Sequence, residues 1–358
     1  MRILYCQPDI RPIQLWMGLM LLAVFSGCGG ESTEPIPEGQ VQSVTIEGPT
    51  MGTHFIIKIS RASDAAALER ASSNAVSLLE RIDGMMSTYK PTSELSRFNQ
   101  HQSTEPFKVS KDMIDIFLLA REVSDVTNGA FDVTIGPIVN AWGFGPEKRA
   151  EPPTDQEIAS LLPRVGFEMV LIDVQTSTLR KARPDIYCDL SGIAQGYAAD
   201  QVATVLDSAG ITDYMIDISG EFRTRGVNDS GNSWQIAIER PDAQERTAHI
   251  VLPLSNLSLA TSGDYRNFTL HEGKRISHEI DPATGYPITH RLASVTVITS
   301  DCTRADAYAT AFMVMGPEAG YALATERNFA AYFLVRTDNG TFEELRTPKF
   351  SEMLSVVQ

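Results

Sequence analysis

Hydrophobic and polar positions change their period several times along the 358 residues. Residues 41–46 and 54–59 alternate as half-buried strands do, joined by Gly48-Pro-Thr-Met-Gly52. From about 64 to 86 the period lengthens. Leu68, Ala71, Ala75, Leu78, Leu79 and Ile82 then share one face, which predicts a helix. A second helix begins at Ser110, carries Met113, Ile114, Phe117 and Leu118, and stops near Asn128-Gly129. Thr154-Asp-Gln-Glu157 is a capping-box pattern for a short third helix. Residues 169–174, 178–181 and 186–190 read as short strands, and a helix over 192–208 follows, closed by Gly210.

The second half is mostly strands: 214–218, 221–224, 234–239, 249–253, 257–261, 275–280 and 293–299. Two helices, 303–315 and 317–328, precede a hairpin whose arms, 331–336 and 341–345, meet at Asp338-Asn-Gly340. Strands adjacent in sequence, with helices inserted between groups, predict an α+β fold with mostly antiparallel sheets rather than βαβ repeats. No internal repeat interrupts this order.

The N-terminus has a different character. Arg2 and Arg11 flank an apolar run over 13–25, and Ser26-Gly27-Cys28 places small residues before a cysteine, so 1–27 reads as an export signal. The run is short for a membrane span, which needs roughly 20 apolar residues. This resembles a bacterial lipoprotein box, with Cys28 the lipidated residue; an uncleaved anchor would tether the chain to a membrane equally well. Residues 28–40, rich in Gly, Glu, Pro and Ser, read as a flexible tether, and 41–358 as one large domain. The expected location is the bacterial cell envelope, facing the periplasm or exterior.

A formal charge of −15 disfavours nucleic acid, and disfavours an anionic nucleotide unless a cation neutralises its site. Besides Cys6 and Cys28 the chain holds Cys188 and Cys302, which read either as a disulfide or as two buried thiols. Absent motifs narrow the chemistry. There is no G-x-G-x-x-G after a strand, no P-loop, no H-E-x-x-H and no C-x-x-C.

What remains points to phosphate and a hard cation. Asp189-Leu-Ser-Gly-Ile-Ala-Gln-Gly-Tyr-Ala-Ala-Asp200 opens a helix with glycines, where backbone N–H groups can face a phosphate. Asp306 and Thr310 lie four apart on a predicted helix, so their oxygens point the same way, as Mg²⁺ requires. Such a pair also occurs as a cap or a back-bonded hydroxyl. A main-chain oxygen near Gly192 or Ala194 would complete the set. Gly129-Ala-Phe-Asp-Val-Thr-Ile-Gly-Pro137 and Trp142-Gly-Phe-Gly-Pro146 read as a loop whose aromatics face a flat ring or pack as core. Met51-Gly-Thr53 and Ser87-Thr-Tyr89 carry the same two readings. His278, in Ser277-His-Glu-Ile-Asp-Pro-Ala-Thr-Gly285, sits at a strand end suited to a proton acceptor. His54, His101, His249, His271 and His290 occupy no comparable setting.

These motifs, with Ser93-Glu-Leu-Ser-Arg-Phe-Asn99, Ile218-Ser-Gly-Glu221 and Ser262-Gly-Asp-Tyr265 between them, resemble the ApbE-like family of FAD:protein FMN transferases. The resemblance spans nearly the whole chain beyond the tether. It implies a T-fold-like, two-subdomain α+β architecture. It also implies Mg²⁺-dependent transfer of FMN from FAD to a Thr or Ser hydroxyl of a target flavoprotein, releasing AMP. The acceptor would present a Ser/Thr-Gly-Ala-Thr-like segment. By position, Met51, Tyr89, Ala130, Phe131, Asp132, Asp189, Gln195 and Ile280 would line FAD. Gly192, Asp306 and Thr310 would hold Mg²⁺, and His278 would be the general base. Members often carry Lys where this chain has Gln195. FAD hydrolysis to FMN and AMP, or flavin binding without chemistry, are the competing readings.

Overall fold

The alternating segments fold into one eight-stranded antiparallel sheet, ordered β1-β2-β6-β7-β10-β13-β14-β15. The computed structural model describes residues 43–355 apart from 63, 150, 242–246, 266–267 and 272–273. The expected signal, Cys28 and the tether lie outside the described residues.

In chain order the strands are β1 (Val44–Thr50), β2 (Thr53–Arg61), β3 (Phe107–Lys108), β4 (Val170–Asp173), β5 (Thr178–Lys181), β6 (Asp213–Ile218), β7 (Glu221–Arg225) and β8 (Trp234–Glu239). Then come β9 (Ala248–Leu254), β10 (Ser258–Gly263), β11 (Phe268–His271), β12 (Lys274–Ser277), β13 (Leu292–Thr299), β14 (Ala330–Arg336) and β15 (Phe342–Arg346). The helices are α1 (Ala65–Met86), α2 (Glu94–Gln100), α3 (Lys111–Val126), α4 (Gly136–Ala141), α5 (Asp155–Leu161), α6 (Ala194–Ser208), α7 (Cys302–Glu326) and α8 (Pro348–Ser355).

Strand alternation sends side chains to two separate cores. Ala331, Phe333 and Val335 of β14 pack toward α1, α6 and α7, in the cluster that holds Ala75, Val202 and Phe312. Their neighbours Ala330, Tyr332 and Leu334 face the other way, against Trp234, Ile236 and Leu252 of the β8–β9 hairpin and Phe350 of α8. An aromatic layer lies where α2 and α3 meet the small sheet β3-β5-β4. Its Phe98, Phe117 and Phe167 stack edge to face at 6.2 Å, and they continue the helix-side core without a break. The mostly antiparallel α+β architecture read from the sequence is thus the observed one.

Helix ends fall where the capping chemistry puts them. Asp64 accepts from Ala66 N and Ala67 N, Ser110 from Met113 N, and the Thr154–Glu157 capping box is complete. The two expected C-terminal helices are both present within α7, separated at Gly316, whose φ of 79° and ψ of 178° break the helix just before Pro317. Other expectations shift. Residues 186–190 form no strand, and the Asn99 amide bonds both backbone groups of Cys188 instead. Helix α4 and a 3₁₀ turn at Val133–Ile135 occupy what reads as a loop over 129–146. Strand β12 ends at Ser277; beyond it Ile280 makes only an isolated antiparallel bridge to Pro287, across the turn at 281–285. Helices α2 and α8 and strands β3 and β11 are too short to show a period. Cys188 and Cys302 are free buried thiols, the second of the two readings offered for them.

Helices α6 and α7 cross so closely that a Cβ on Gly196 would lie 2.4 Å from the Cys302 carbonyl oxygen. We predict that Gly196→Ala lowers stability by about 1–3 kcal/mol through this overpacking. Urea unfolding checks it, and an unchanged midpoint would show that the helices part without cost.

Candidate active site

A cavity of about 670 Å³ opens at one end of the main sheet. One wall comes from the end of the main sheet. Met51 and Gly52 (φ 49° and 73°) form the two-residue turn between β1 and β2, and Ser219 and Gly220 (φ 62° and 107°) the turn between β6 and β7. Two successive positive φ values suit the twist of a tight hairpin. Neither Met51 nor Ser219 is a residue that adopts them freely. The Thr53 hydroxyl donates to Ser219 Oγ at 2.8 Å, tying the two turns together, and Met51 lines the cavity beside them.

The opposite wall is the 129–146 segment. Gly129 (φ 81°) ends α3 and turns the chain so that Ala130 and Phe131 line the cavity. Asp132 lines it too, but both its carboxylate oxygens are engaged. Thr134 N–H and Oγ donate to Oδ1 at 2.8 and 2.6 Å, and Phe167 N–H donates to Oδ2 at 2.9 Å. What Asp132 offers a ligand is therefore its main chain.

The floor runs from Asp189 into α6. Asp189 Oδ1 accepts from Ser191 N–H at 2.8 Å, and burial raises its carboxyl above the ordinary value. Gln195, one turn on, is partly buried, yet its Oε1 has no hydrogen-bond partner among the described residues. An orphaned buried acceptor facing a cavity is what a ligand donor would satisfy. Beyond Tyr89 a second cavity of about 510 Å³ shares Met51, Tyr89, Asp189, Ser191 and Gln195 with the first. The cleft is therefore elongated. Tyr89 crosses the partition, its hydroxyl donating to the Phe144 carbonyl at 2.9 Å.

At the depth of the first cavity Asp306 accepts from Gly196 N–H through Oδ2 at 2.9 Å. Thr310 Oγ1, a turn further along α7, lies 3.5 Å from the Gly192 carbonyl oxygen and 3.4 Å from Ser262 Oγ. Carboxylate, hydroxyls and carbonyl are the hard donors Mg²⁺ takes. Among the described residues no group of three or more His, Cys, Asp and Glu is arranged to hold a metal. A cation here would rest on one carboxylate, neutral oxygens and the ligand's own phosphates, and these residues fit that demand. His278 lies at the rim, its Nε2 3.5 Å from Glu279 Oε1 and its ring edge-on to Phe144 at 6.3 Å. The turn that carries it is braced by Asp281, which accepts from Ala283 N–H and Thr284 Oγ. The Trp142 indole N–H then bonds the Gly285 carbonyl at 2.8 Å, linking this turn to the opposite wall.

All twelve residues singled out from the sequence (Met51, Tyr89, Ala130, Phe131, Asp132, Asp189, Gly192, Gln195, His278, Ile280, Asp306 and Thr310) line this one cavity. Sequence reasoning missed others. His54, set aside with the remaining histidines, lines the cavity from the first residues of β2; so do Glu221, Glu279 and Tyr265. Glu221 and Tyr265 belong to motifs already quoted, Ile218-Ser-Gly-Glu221 and Ser262-Gly-Asp-Tyr265. Their tight turns were the available signal. His54 carried none, because alternation in β2 says only which face it occupies.

The fold and cleft together define a class: an α+β protein built around an elongated, oxygen-rich ligand site at the end of its main sheet. The chain belongs to the ApbE family, whose family model matches residues 51–333. It is 42% identical over 342 residues to a protein of Vibrio cholerae serotype O1 named FAD:protein FMN transferase, covering 95% of this chain and 99% of that one. It is 36% identical over 333 residues to the Escherichia coli K12 protein of the same name, covering 92% and 94%. Among solved structures it is similar to the flavin transferase ApbE from Vibrio cholerae, with a TM-score of 0.79 at 42% identity over 87% of this chain and 99% of that one. The apo form of Pseudomonas stutzeri flavinyl transferase ApbE gives a TM-score of 0.80 at 36% identity over 88% and 97%.

Burial raises the Asp306 carboxyl from 3.8 to about 7, with Glu279 and Asp200 adding to the rise and the Gly196 bond opposing it. Glu221 and Glu279 move in the same direction, chiefly through burial. The folded chain therefore holds protons that the unfolded chain releases above about pH 4. This contribution to stability is full below that pH and lost as pH rises through about 7. We predict that the thermal midpoint of the cation-free protein falls between pH 5 and pH 8, and that Asp306→Asn flattens part of the fall. A scan of thermal midpoint against pH checks this; equal slopes in both proteins would contradict the assignment to Asp306.

Proposed function

We infer that the chain is an FAD:protein FMN transferase that uses Mg²⁺, moves FMN from FAD to a Thr or Ser hydroxyl of a target flavoprotein, and releases AMP. The observation that carries the finer reading is electrostatic. The main cavity is lined by Asp132, Asp189, Glu221, Glu279 and Asp306, and no Lys or Arg lines it among the described residues. A dinucleotide pyrophosphate entering such a cavity requires positive charge from elsewhere. Asp306, Thr310 Oγ1 and the Gly192 carbonyl are the residues that would hold Mg²⁺, which when bound supplies that charge to the phosphate oxygens.

The remaining roles follow from position. Met51, Tyr89, Ala130, Phe131 and Ile280 offer apolar and aromatic surface for the flavin ring, and the unsatisfied Gln195 Oε1 accepts from a ligand N–H. Asp189 and the main chain of Asp132 supply further polar contacts. His278 accepts the proton of the incoming hydroxyl. As the acceptor oxygen bonds to the flavin-side phosphorus, the bond from that phosphorus to the bridging oxygen breaks and AMP leaves. The acceptor is read as a membrane-associated flavoprotein subunit with a Ser/Thr-Gly-Ala-Thr-like segment. Cys28 is read as the lipid anchor in the cell envelope. Labelling of the wild type with a radioactive fatty acid, lost in Cys28→Ser, would support the anchor; equal labelling would remove it.

The central experiment mixes the protein with FAD, Mg²⁺ and an acceptor fragment and follows acceptor mass and AMP. AMP with a mass gain of one FMN is expected. AMP without the gain would make the protein a hydrolase, and neither product would leave binding alone. His278→Ala should slow transfer by about 10²–10⁴-fold. Asp306→Ala should cost more than about 100-fold, the several kcal/mol that metal charge stabilisation contributes. Chelation of the wild type should match the Asp306→Ala loss.

A further inference from the structure

Asn99 ends the Ser93–Asn99 motif, and nothing in the reaction above uses it. It is 4% exposed and does not line the main cavity. Its amide nevertheless makes two bonds to a single residue 89 positions away: Nδ2 donates to the Cys188 carbonyl and Oδ1 accepts from Cys188 N–H, both at 2.8 Å. This is the pair of bonds a neighbouring strand would give, yet residues 186–190 form no strand. One residue later, Asp189 N–H donates to the Val133 carbonyl at 2.7 Å. The floor shared by both cavities, Asp189 to Gln195, thus follows directly on a residue whose backbone is held by one side chain.

Asn99 is itself anchored by an unusual group. Lys181 is fully buried, and its Nζ donates to the carbonyls of Asn99 (2.9 Å) and His101 (3.2 Å), at the end of α2. It also sits 5.0 Å from the centre of the Phe98 ring. A cation at a helix C-terminus meets the carbonyls that lack helical partners. Ser93, which accepts from Ser96 N–H, closes the other end of the helix, and its hydroxyl donates to the Ser87 carbonyl at 2.6 Å. That places α2 between the strap bearing Tyr89 and the floor bearing Asp189.

We propose that Asn99 is a positioning residue for the flavin-transfer site: through Cys188 it sets the height of the Asp189–Gly192 floor, and Lys181 holds Asn99 in register to do so. The proposal rests on the flavin reading for its ligand but not for its geometry. Removing the amide leaves two buried backbone groups unpaired. The floor should then loosen, and the ligand contacts on both sides of it should weaken.

The test uses Asn99→Ala and Asn99→Asp, with Phe350→Ala on the far side of the main sheet as a control for general destabilisation. The isosteric Asp keeps an acceptor for Cys188 N–H, loses the donor to the Cys188 carbonyl, and serves if the Ala variant does not fold. FAD affinity is read from flavin fluorescence without acceptor, and hydrogen exchange is read across 187–192. Both Asn99 variants are expected to bind FAD at least tenfold more weakly, with faster exchange in that segment. Phe350→Ala should melt at lower temperature yet bind FAD within twofold of wild type. A folded Asn99 variant with wild-type affinity and unchanged exchange would overturn the proposal. If the wild type itself does not bind FAD, the flavin reading falls, and exchange over 187–192 alone decides the role of Asn99.

Discussion

The site depends on how near α6 comes to α7. Gly196 is the only side-chain choice that leaves room, since any Cβ there meets the Cys302 carbonyl and the Asp306 side chain. Closeness makes the crossing polar as well as tight. Gly196 N–H reaches Asp306, and four residues later Asp200 accepts from Cys302 N–H and Thr303 N–H at the first turn of α7. Those are donors a helix start leaves unpaired. One face of α6 thereby fixes both the angle of α7 and the depth of its acidic residue. Thr310, a turn beyond, then arrives at the Gly192 carbonyl without any further device.

The same closeness creates an electrostatic debt. Asp306, Glu221 and Glu279 are drawn out of water together, and burial dominates the upward shift of each. A structure optimised for stability alone would place apolar residues here. Retaining carboxyls in a main cavity whose described lining holds no Lys or Arg makes sense where a cation and its anionic ligand arrive together. On the proposed reaction the acidity of the chain is then part of the specificity. A polyanion without a cation would be repelled, and one whose charge a cation neutralises would be accepted.

Much of this was legible in the sequence, for identifiable reasons. Asp306 and Thr310 could be placed together because a helix fixes the direction of residues four apart. The Asp189 segment could be placed because glycines mark the start of α6. What escaped was whatever depends on contacts across long separations. No local pattern says that Asn99 will stand in for a strand beside Cys188, so 186–190 reads as strand from its own composition. No local pattern separates His54 from other strand histidines, because its place in the cleft follows from β2 starting beside the end of β6. Asp132 shows the converse. Its position at the cavity was legible, but its occupied carboxylate was not, since Phe167 lies 35 residues away.

The depth of each group orders the proposed chemistry. Asp306 is 6% exposed, whereas the His278 side chain is 30% exposed and Tyr89 is 59% exposed. A small-molecule reaction could have been enclosed entirely, with water excluded on every side. A protein hydroxyl cannot reach an enclosed phosphorus, so the group that takes its proton has to stand where a polypeptide segment can approach. Charge neutralisation has the opposite need, because electrostatic interactions gain strength as water is removed. The cleft meets both needs by spreading them along its length. Carboxylate and carbonyl oxygens lie against the α6–α7 crossing, and the imidazole lies on a braced turn at the rim. The bond from Trp142 to Gly285 keeps that rim in register with the wall where Phe131 sits. The distance between the acidic depth and the basic rim is therefore set by one continuous core rather than by any loop that could drift.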